Sequence, residues 1–356
     1  MKNILVTGGA GFVGSHLAIS VKKRWKGAHV IALDNLSRRG SKLNIPRLKA
    51  NGIQFVRGDV RRKADLNFKK LKISLLIECS ADPSVLAGFH RSPQYVIDTN
   101  LMGTINCLEL ARRHKADFIF LSTSRVYPIE QLKKIKIKNA KTRFVLAKRQ
   151  IFAGVSQKGI SEQFPLDGWR SIYGTTKLSA ELMIQEYIHT YNLRAVINRC
   201  GVIAGPWQMG KVDQGIFSFW LLSHYFKKNL QYIGFDGEGR QVRDLLHVDD
   251  LCRLIHIQIN NLSKINGRVY NVGGGVGSSL SLLETTEICR RLTGNHVTIK
   301  KIKKNREADI PIYISDNTLV TKDTGWKPQI NPEAILKDIH QWVESNAGNL
   351  RRSLFR

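Results

Sequence analysis

The sequence predicts an α/β fold, a doubly wound parallel sheet followed by a smaller, mixed C-terminal region. Apolar, β-rich runs bounded by turn residues alternate with stretches of helical periodicity, the pattern of a parallel sheet covered on both faces. From about residue 200 that rhythm loosens at Pro206, "GFDGEGR" and "YNVGGGVGSS". The chain has 356 residues, 42% of them hydrophobic, enough for one large domain or two unequal ones.

The elements follow in order. "NILVTG" (3–8) is the first strand and leads into a helix from about Gly11 to Lys23. "HVIALDN" (29–35) and "IQFVRGDV" (53–60) are the next two strands. "ISLLIECS" (73–80) and "DFIFLSTS" (117–124) are buried strands, with a helix over "YVIDTNLMGTINCLELARRH" (95–114) between them. A helix opens at Tyr173, and "RAVINRCGV" (194–202) is a further strand. The division expected is a sheet domain over 1–200, with a basic insertion near 128–165, and a second region over 201–356. Some segments of that second region return to the first.

The formal net charge is +28. Such basicity raises nucleic acid, an anionic membrane surface or a phosphorylated substrate as partners. The charge is dispersed, with dense patches at 133–149 and 299–306, and neither interleaves the aromatics of a single-strand platform. No finger, homeodomain or ribonucleoprotein motif occurs, so no nucleic-acid partner is expected. No apolar run approaches the ~20 residues that span a bilayer, and membrane insertion is not expected. The N-terminal "MKNILVTGGAGFVG" reads as a strand entering a loop rather than a signal peptide. Cys79, Cys107, Cys200, Cys252 and Cys289 are scattered and form no Cys-x-x-Cys, which argues for a reducing, cytoplasmic setting and against a zinc site. No His or carboxylate cluster has ligand spacing, so no metal is expected.

"VTGGAGFVG" places Gly8, Gly11 and Gly14 between the first strand and its helix. Glycines there let the backbone approach a pyrophosphate, while the helix N-terminus supplies N–H donors and a positive dipole. Asp34 ends the second strand, where a carboxylate accepts from ribose hydroxyls and repels a 2′-phosphate. The sheet is therefore Rossmann-type and the expected cofactor is NAD. Arg38 and Arg39 follow closely and could bind a 2′-phosphate instead. Tyr173 and Lys177, four apart, share a helix face. Alone, the pair reads equally as an acid/base couple or as surface neighbours.

Taken in order, Thr7–Gly14, "GDV" (58–60), "TNLMGT" (99–104), "STSRVY" (122–127), Tyr173-x-x-x-Lys177 and "RQVRDLLHVDD" (240–250) resemble the extended short-chain dehydrogenases/reductases that modify nucleotide sugars. The likeness covers nearly the whole chain. "DNLSRRG" (34–40), "VDQG" (212–215), "GRQVRDLLHVDD" (239–250), "NVGGGVGSSLSLLE" (271–284) and "READIPIYISD" (306–316) further resemble the members that invert C2 of a CDP-linked 3,6-dideoxyhexose.

The resemblance makes Tyr173 the acid/base, Lys177 the cation that lowers its pKa, and Thr123 the hydroxyl that holds the reacting oxygen. It implies dinucleotide contacts from Thr7, Gly8, Gly11, Phe12, Val13, Gly14, Asp34, Asn35, Arg38, Asp59, Val60, Ser80, Ala81, Asn100, Tyr173 and Lys177. Asp59 resembles the acid that meets the adenine amino group, and Asn100 is mainly structural in the family. Substrate contacts are implied for Thr123, Ser124, Gln214, Arg243 and Arg306. Arg243 resembles the arginine that grips the diphosphate; its alternative role is a buried pair with Asp244 or Asp249. His247 supports a loop.

The family's dehydratases carry Asp-Glu after the position of Thr123, where this chain has Ser124-Arg125, so elimination of water is disfavoured. The implied reaction is epimerisation by transient oxidation to a keto-sugar and re-reduction on the opposite face, with NAD kept bound. A 4-epimerase or reductase of a UDP-, GDP- or dTDP-linked sugar is the alternative. From another class comes a silent nucleotide- or RNA-binding protein on the same fold. The resemblance also implies that the helices near 93–114 and 171–191 pack into an intersubunit four-helix bundle, and so a homodimer or homotetramer. Three stretches depart from the family: "ECSADPSV" (78–85) at the Ser80–Asp82 wall, Val202 in "RCGVIAGP", and Tyr127-Pro128. Residues 131–161 contain no acid and suggest either a basic flap that attracts the diphosphate or a solvated excursion.

Overall fold

A computed structural model describes residues 2–38, 40–89, 92–210 and 214–354. Arg39, and Val212 and Asp213 of "VDQG", lie outside the described residues. The chain forms two units. The first comprises Met1–Val126, Ile172–Arg199 and Leu251–Tyr270; the second comprises Tyr127–Ser171, Cys200–Asp250 and Asn271–Arg356. The insertion therefore lies in the second unit, and 251–270 belongs to the first.

The sheet of the first unit has seven strands: β1 Asn3–Thr7, β2 His29–Asp34, β3 Gln54–Arg57, β4 Leu75–Glu78, β5 Asp117–Thr123, β6 Ala195–Cys200 and β7 Val269–Val272. Their spatial order is β3-β2-β1-β4-β5-β6-β7, and every pair from β3 to β5 is parallel. The winding reverses between β1 and β4, and ligands of such sheets bind beyond the strand ends at that switch point. Helix α1, Phe12–Arg24, starts there. Leu5, Ile31, Leu76, Phe118 and Ile197 from five of the strands are 0–1% exposed and pack with Leu108 and Ala180 of the covering helices. Burial of that order, about 25 cal/mol per Å² of apolar surface, holds the sheet flat against its helices.

The helix expected over 95–114 is interrupted. It runs as α2, Gln94–Ile97, a π-helical turn Asp98–Met102, and α3, Gly103–His114. The wide turn brings Thr99 and Asn100 inside, both buried, as π turns near functional sites commonly do. Helix α4, Ile172–Tyr191, packs on β5 and on the turn Ser124–Val126 that follows it.

The second unit is built on strands Val202–Ala204, Val242–His247, Ser279–Ser281 and Ile312–Tyr313, in mixed parallel and antiparallel pairing. Helices Ile216–Tyr225, Leu282–Thr293 and Pro332–Leu354 pack together beside it around Trp220, Leu221, Ile335 and Ile339. Ser281 caps Leu282–Thr293 in a reciprocal box with Glu284. Residues 131–161 form hairpins, and Arg143 binds Glu284 in a fork of three bonds at 2.5–2.9 Å while Thr142 adds a fourth. The excursion is thus tied down within its unit at Thr142 and Arg143, while most of its residues are exposed or half-buried.

Candidate active site

The glycine loop follows from sterics. Gly8 has φ +61°, and a Cβ there would lie 2.9 Å from the Cys79 backbone. A Cβ on Gly14 would lie 2.2 Å from the Gly8 carbonyl oxygen, so helix and loop touch backbone to backbone. The Gly11 N–H closes the turn onto that same oxygen at 2.9 Å. Thr7 ends β1, wholly buried; Phe12 and Val13 open α1, half-buried.

Asp34 stands at the end of β2 and is locked to the loop. The Ala10 N–H donates to its Oδ2 at 3.1 Å and the Leu36 N–H to its Oδ1 at 2.7 Å. Burial pushes its carboxyl up, against the pull of those backbone donors. The Gly11 N–H pulls on the same carboxyl, so the loop and the turn after β2 both bear on Asp34. Asn35 turns away to donate to Asp59 at 3.0 Å. Asp59 is also clamped by the fork of Arg61 at 2.6–3.1 Å, a local partner the sequence reading missed, and Arg61 holds its carboxyl far below the usual range. Val60 is buried against Gly103, where a Cβ would meet it at 2.7 Å. Arg38 is half-buried, as is Ala81, and Ser80 is buried.

The expected catalytic residues share the first unit. Thr123 ends β5; its Oγ accepts the Arg125 N–H at 3.2 Å, which leaves its own proton to donate. Ser124 opens the turn that follows. Tyr173 and Lys177 lie one turn apart on α4 and are 8% and 2% exposed, so the pair is not a surface one. The Lys177 Nζ sits 3.8 Å from the centre of the Phe120 ring and 3.9 Å from Glu78 Oε2. Asn100 spans to the Asp82 backbone at 2.8 and 3.1 Å and to Thr176 at 3.3 Å, tying the π turn to α4.

Glu78 escaped the sequence reading, which placed the altered wall at Ser80–Asp82. A single carboxylate at the end of an apolar strand looks like a strand terminus, yet Glu78 is 0% exposed. Burial pushes its carboxyl up from 4.5 to about 7, with Lys177 pulling it back. The folded state then holds a proton that the unfolded chain has lost between those values. The stability difference between wild type and Glu78→Gln should accordingly fall as pH rises from 4.5 to about 7, by up to about 1.4 kcal/mol per unit, and then level off. Denaturant midpoints measured across that window check the slope.

In the second unit, Arg243 pairs with neither Asp244 nor Asp249. Its partner is Asp309, at 2.9 Å, and it donates also to the Ile310 and Val242 carbonyls. Asp309 belongs to the "READ" turn, where its N–H bonds the Arg306 carbonyl at 3.2 Å. Arg243 and Arg306 are thereby brought to one turn, which sequence separation hid. Asp244 instead accepts the N–H groups of Gly275 and Ser315. His247 accepts the Asp249 N–H at the start of the helix Val248–Asn261 and bonds Asp338 at 2.9 Å. Gln214 is half-buried with its Oε1 unpartnered among the described residues. Among these residues no cluster of ligating side chains could hold a metal, and no helix is long and apolar enough to cross a membrane.

A parallel sheet with a glycine loop at its switch point, an acid at the end of β2 and a buried tyrosine–lysine pair defines a dinucleotide-dependent enzyme of the Rossmann class. The sequence model of the NAD dependent epimerase/dehydratase family matches residues 4–273, and the chain belongs to that family. It is similar to CDP-paratose 2-epimerase of Salmonella typhi, 29% identical over 96% of this chain and 99% of that protein. It is also 29% identical to UDP-glucose 4-epimerase of Erwinia amylovora, covering 97% and 98% of the two chains. Among solved structures it resembles UDP-glucuronic acid 4-epimerase from Bacillus cereus in complex with UDP-glucuronic acid and NAD. That match has a TM-score of 0.78 and 25% identity, and covers 97% and 99% of the two chains.

Proposed function

We propose that the protein is a C2 epimerase of a CDP-linked 3,6-dideoxyhexose, working by oxidation and re-reduction at one carbon. The observation that carries the redox part is the buried Tyr173–Lys177 pair on α4, packed on the strand that ends in Thr123. NAD, when bound, takes up hydride from the sugar carbon and returns it. The glycine loop fits its pyrophosphate, because Gly8 and Gly14 let the loop meet the end of β4 and the start of α1 backbone to backbone, an approach that a Cβ at either position would block. Asp34, fixed by two backbone amides, fits the ribose.

The protein's own share is positional and protonic. Thr123 donates its O–H to the reacting oxygen. Tyr173 accepts that oxygen's proton as the carbonyl forms and gives it back as the hydroxyl is restored. Lys177 stabilises the phenolate between the two events. Inversion requires the ketone to present its other face before the hydrogen returns. Ser124 and Arg125 follow Thr123 where elimination would need a carboxylic acid pair, which supports epimerisation over dehydration. Gln214, Arg243 and Arg306 are proposed nucleotide-sugar contacts. The junction of Arg243 with the "READ" turn through Asp309 supports grouping two of them.

The CDP-linked sugar rests on the relation to the Salmonella typhi enzyme and on the five motif stretches. We also propose a cytoplasmic homodimer or homotetramer formed through 93–114 and α4. Met102, Leu182 and Tyr191, 43–56% exposed on those segments, offer apolar surface to a second copy. A proton NMR time course with CDP-paratose and no added cofactor tests the function. New C2-proton couplings at a catalytic rate are expected. A silent spectrum from protein carrying NAD would redirect the substrate to another nucleotide sugar.

A further inference from the structure

Glu78 closes β4 at the switch point, in register with Thr7 of β1 on one side and Phe120 of β5 on the other. It is wholly buried. The Thr104 hydroxyl of α3, whose proton goes to the Asn100 carbonyl at 2.8 Å, lies 3.4 Å from the Glu78 Oε2, and Lys177 of α4 stands 3.9 Å from the same oxygen, in ion-pair contact but too far for a direct hydrogen bond. The Ser80 backbone N–H also acts on the Glu78 carboxyl and draws it down, while Oε1 has no hydrogen-bond partner among the described residues. The other titratable group facing it is Cys107 of α3, also wholly buried, whose thiol is pushed well up by burial and then by Glu78 itself. A carboxylate placed in the core with a spare oxygen is unfavourable unless something draws on its charge. What lies beside it is the ammonium of Lys177, confined between this carboxylate and the face of the Phe120 ring.

We propose that Glu78 is a positioning residue of the redox centre, acting through Lys177: its carboxylate is the counter-ion that keeps the buried ammonium charged and fixed one helical turn from Tyr173. The proposal rests on the reading of Lys177 as part of that centre. Burial disfavours the charged form of an ammonium only 2% exposed, and an adjacent carboxylate offsets that cost. Phe120 contributes through its ring face, which attracts a cation but does not neutralise it. Protonation of Glu78, as pH falls through about 7, removes the counter-charge and leaves the centre in the condition of a Glu78→Gln variant.

The test is NADH affinity, measured by fluorescence on the full-length protein between about pH 8 and about pH 6, a window that brackets the Glu78 titration. Wild type should lose about tenfold in affinity across it, the effect of one pKa unit of coupling. Glu78→Gln should be flat, at the weaker wild-type value, and Glu78→Asp should recover the slope. A Glu78→Gln variant that folds and keeps the wild-type slope overturns the proposal. If that variant does not fold, infrared difference spectroscopy on the native protein decides instead. The band of a protonated buried carboxylic acid should appear on acidification, and NADH should move its midpoint to lower pH; a midpoint that NADH leaves in place overturns the proposal. No sugar is involved, so an error in the substrate assignment does not touch the result. A Lys177→Met variant with wild-type affinity and slope would show instead that the reading of Lys177 is at fault.

Discussion

Replacing Tyr173 with phenylalanine should lower turnover about a thousandfold, roughly 4 kcal/mol of transition-state stabilisation, while fold and cofactor content stay unchanged. The ring of Tyr173 is 8% exposed and packs as part of α4, so phenylalanine fills the same space and removes only the hydroxyl. The loss falls on kcat, because the proton is transferred in the chemical step and not on binding. Absorbance of the purified variant reports the cofactor, and the NMR assay with CDP-paratose reports the rate. A variant within threefold of wild type would remove Tyr173 from the mechanism.

Gly14→Ala should be as damaging for a different reason. Its new Cβ would stand 2.2 Å from the Gly8 carbonyl oxygen and 2.8 Å from the carbon. Both atoms are backbone, and that oxygen already closes the turn with the Gly11 N–H. Loop and α1 must therefore separate, which dismantles the cradle rather than reshaping it. NADH affinity should fall at least about a hundredfold, near 2.8 kcal/mol, and the protein should purify without cofactor. Retained cofactor at wild-type stoichiometry would mean that the pyrophosphate is held elsewhere.

These two predictions differ in how far the sequence alone could have led to them. Glycine spacing after a strand is a local steric requirement, so the loop, α1 and Asp34 were legible from order and spacing. The interruption of the helix over 95–114 was not, since the π turn follows from Asn100 reaching Asp82 and Thr176, partners set by the tertiary fold. Glu78 and Lys177 are ninety-nine positions apart, and nothing in either neighbourhood announces the other. Arg243 and Asp309 likewise meet only through the pairing of Val242–His247 with Ile312–Tyr313. The basic stretch after Tyr127 looked loose because its lysines dominate its composition. Arg143 and Thr142 nevertheless hold it to Glu284, the capping residue of another helix, and Phe144 bonds the Arg240 carbonyl. Charge runs show where a segment meets water; they do not show what its remaining side chains hold.

The measurement that bears most directly on the central claim is the CDP-paratose reaction run in deuterium oxide, with the product examined by NMR. If hydrogen leaves C2 as hydride and returns to the same carbon inside the protein, the inverted sugar carries protium at C2 however long the reaction runs. Deuterium at C2 in step with inversion would mean that the carbon is deprotonated and reprotonated from solvent. Tyr173, Lys177 and the glycine loop would then serve some purpose other than redox epimerisation.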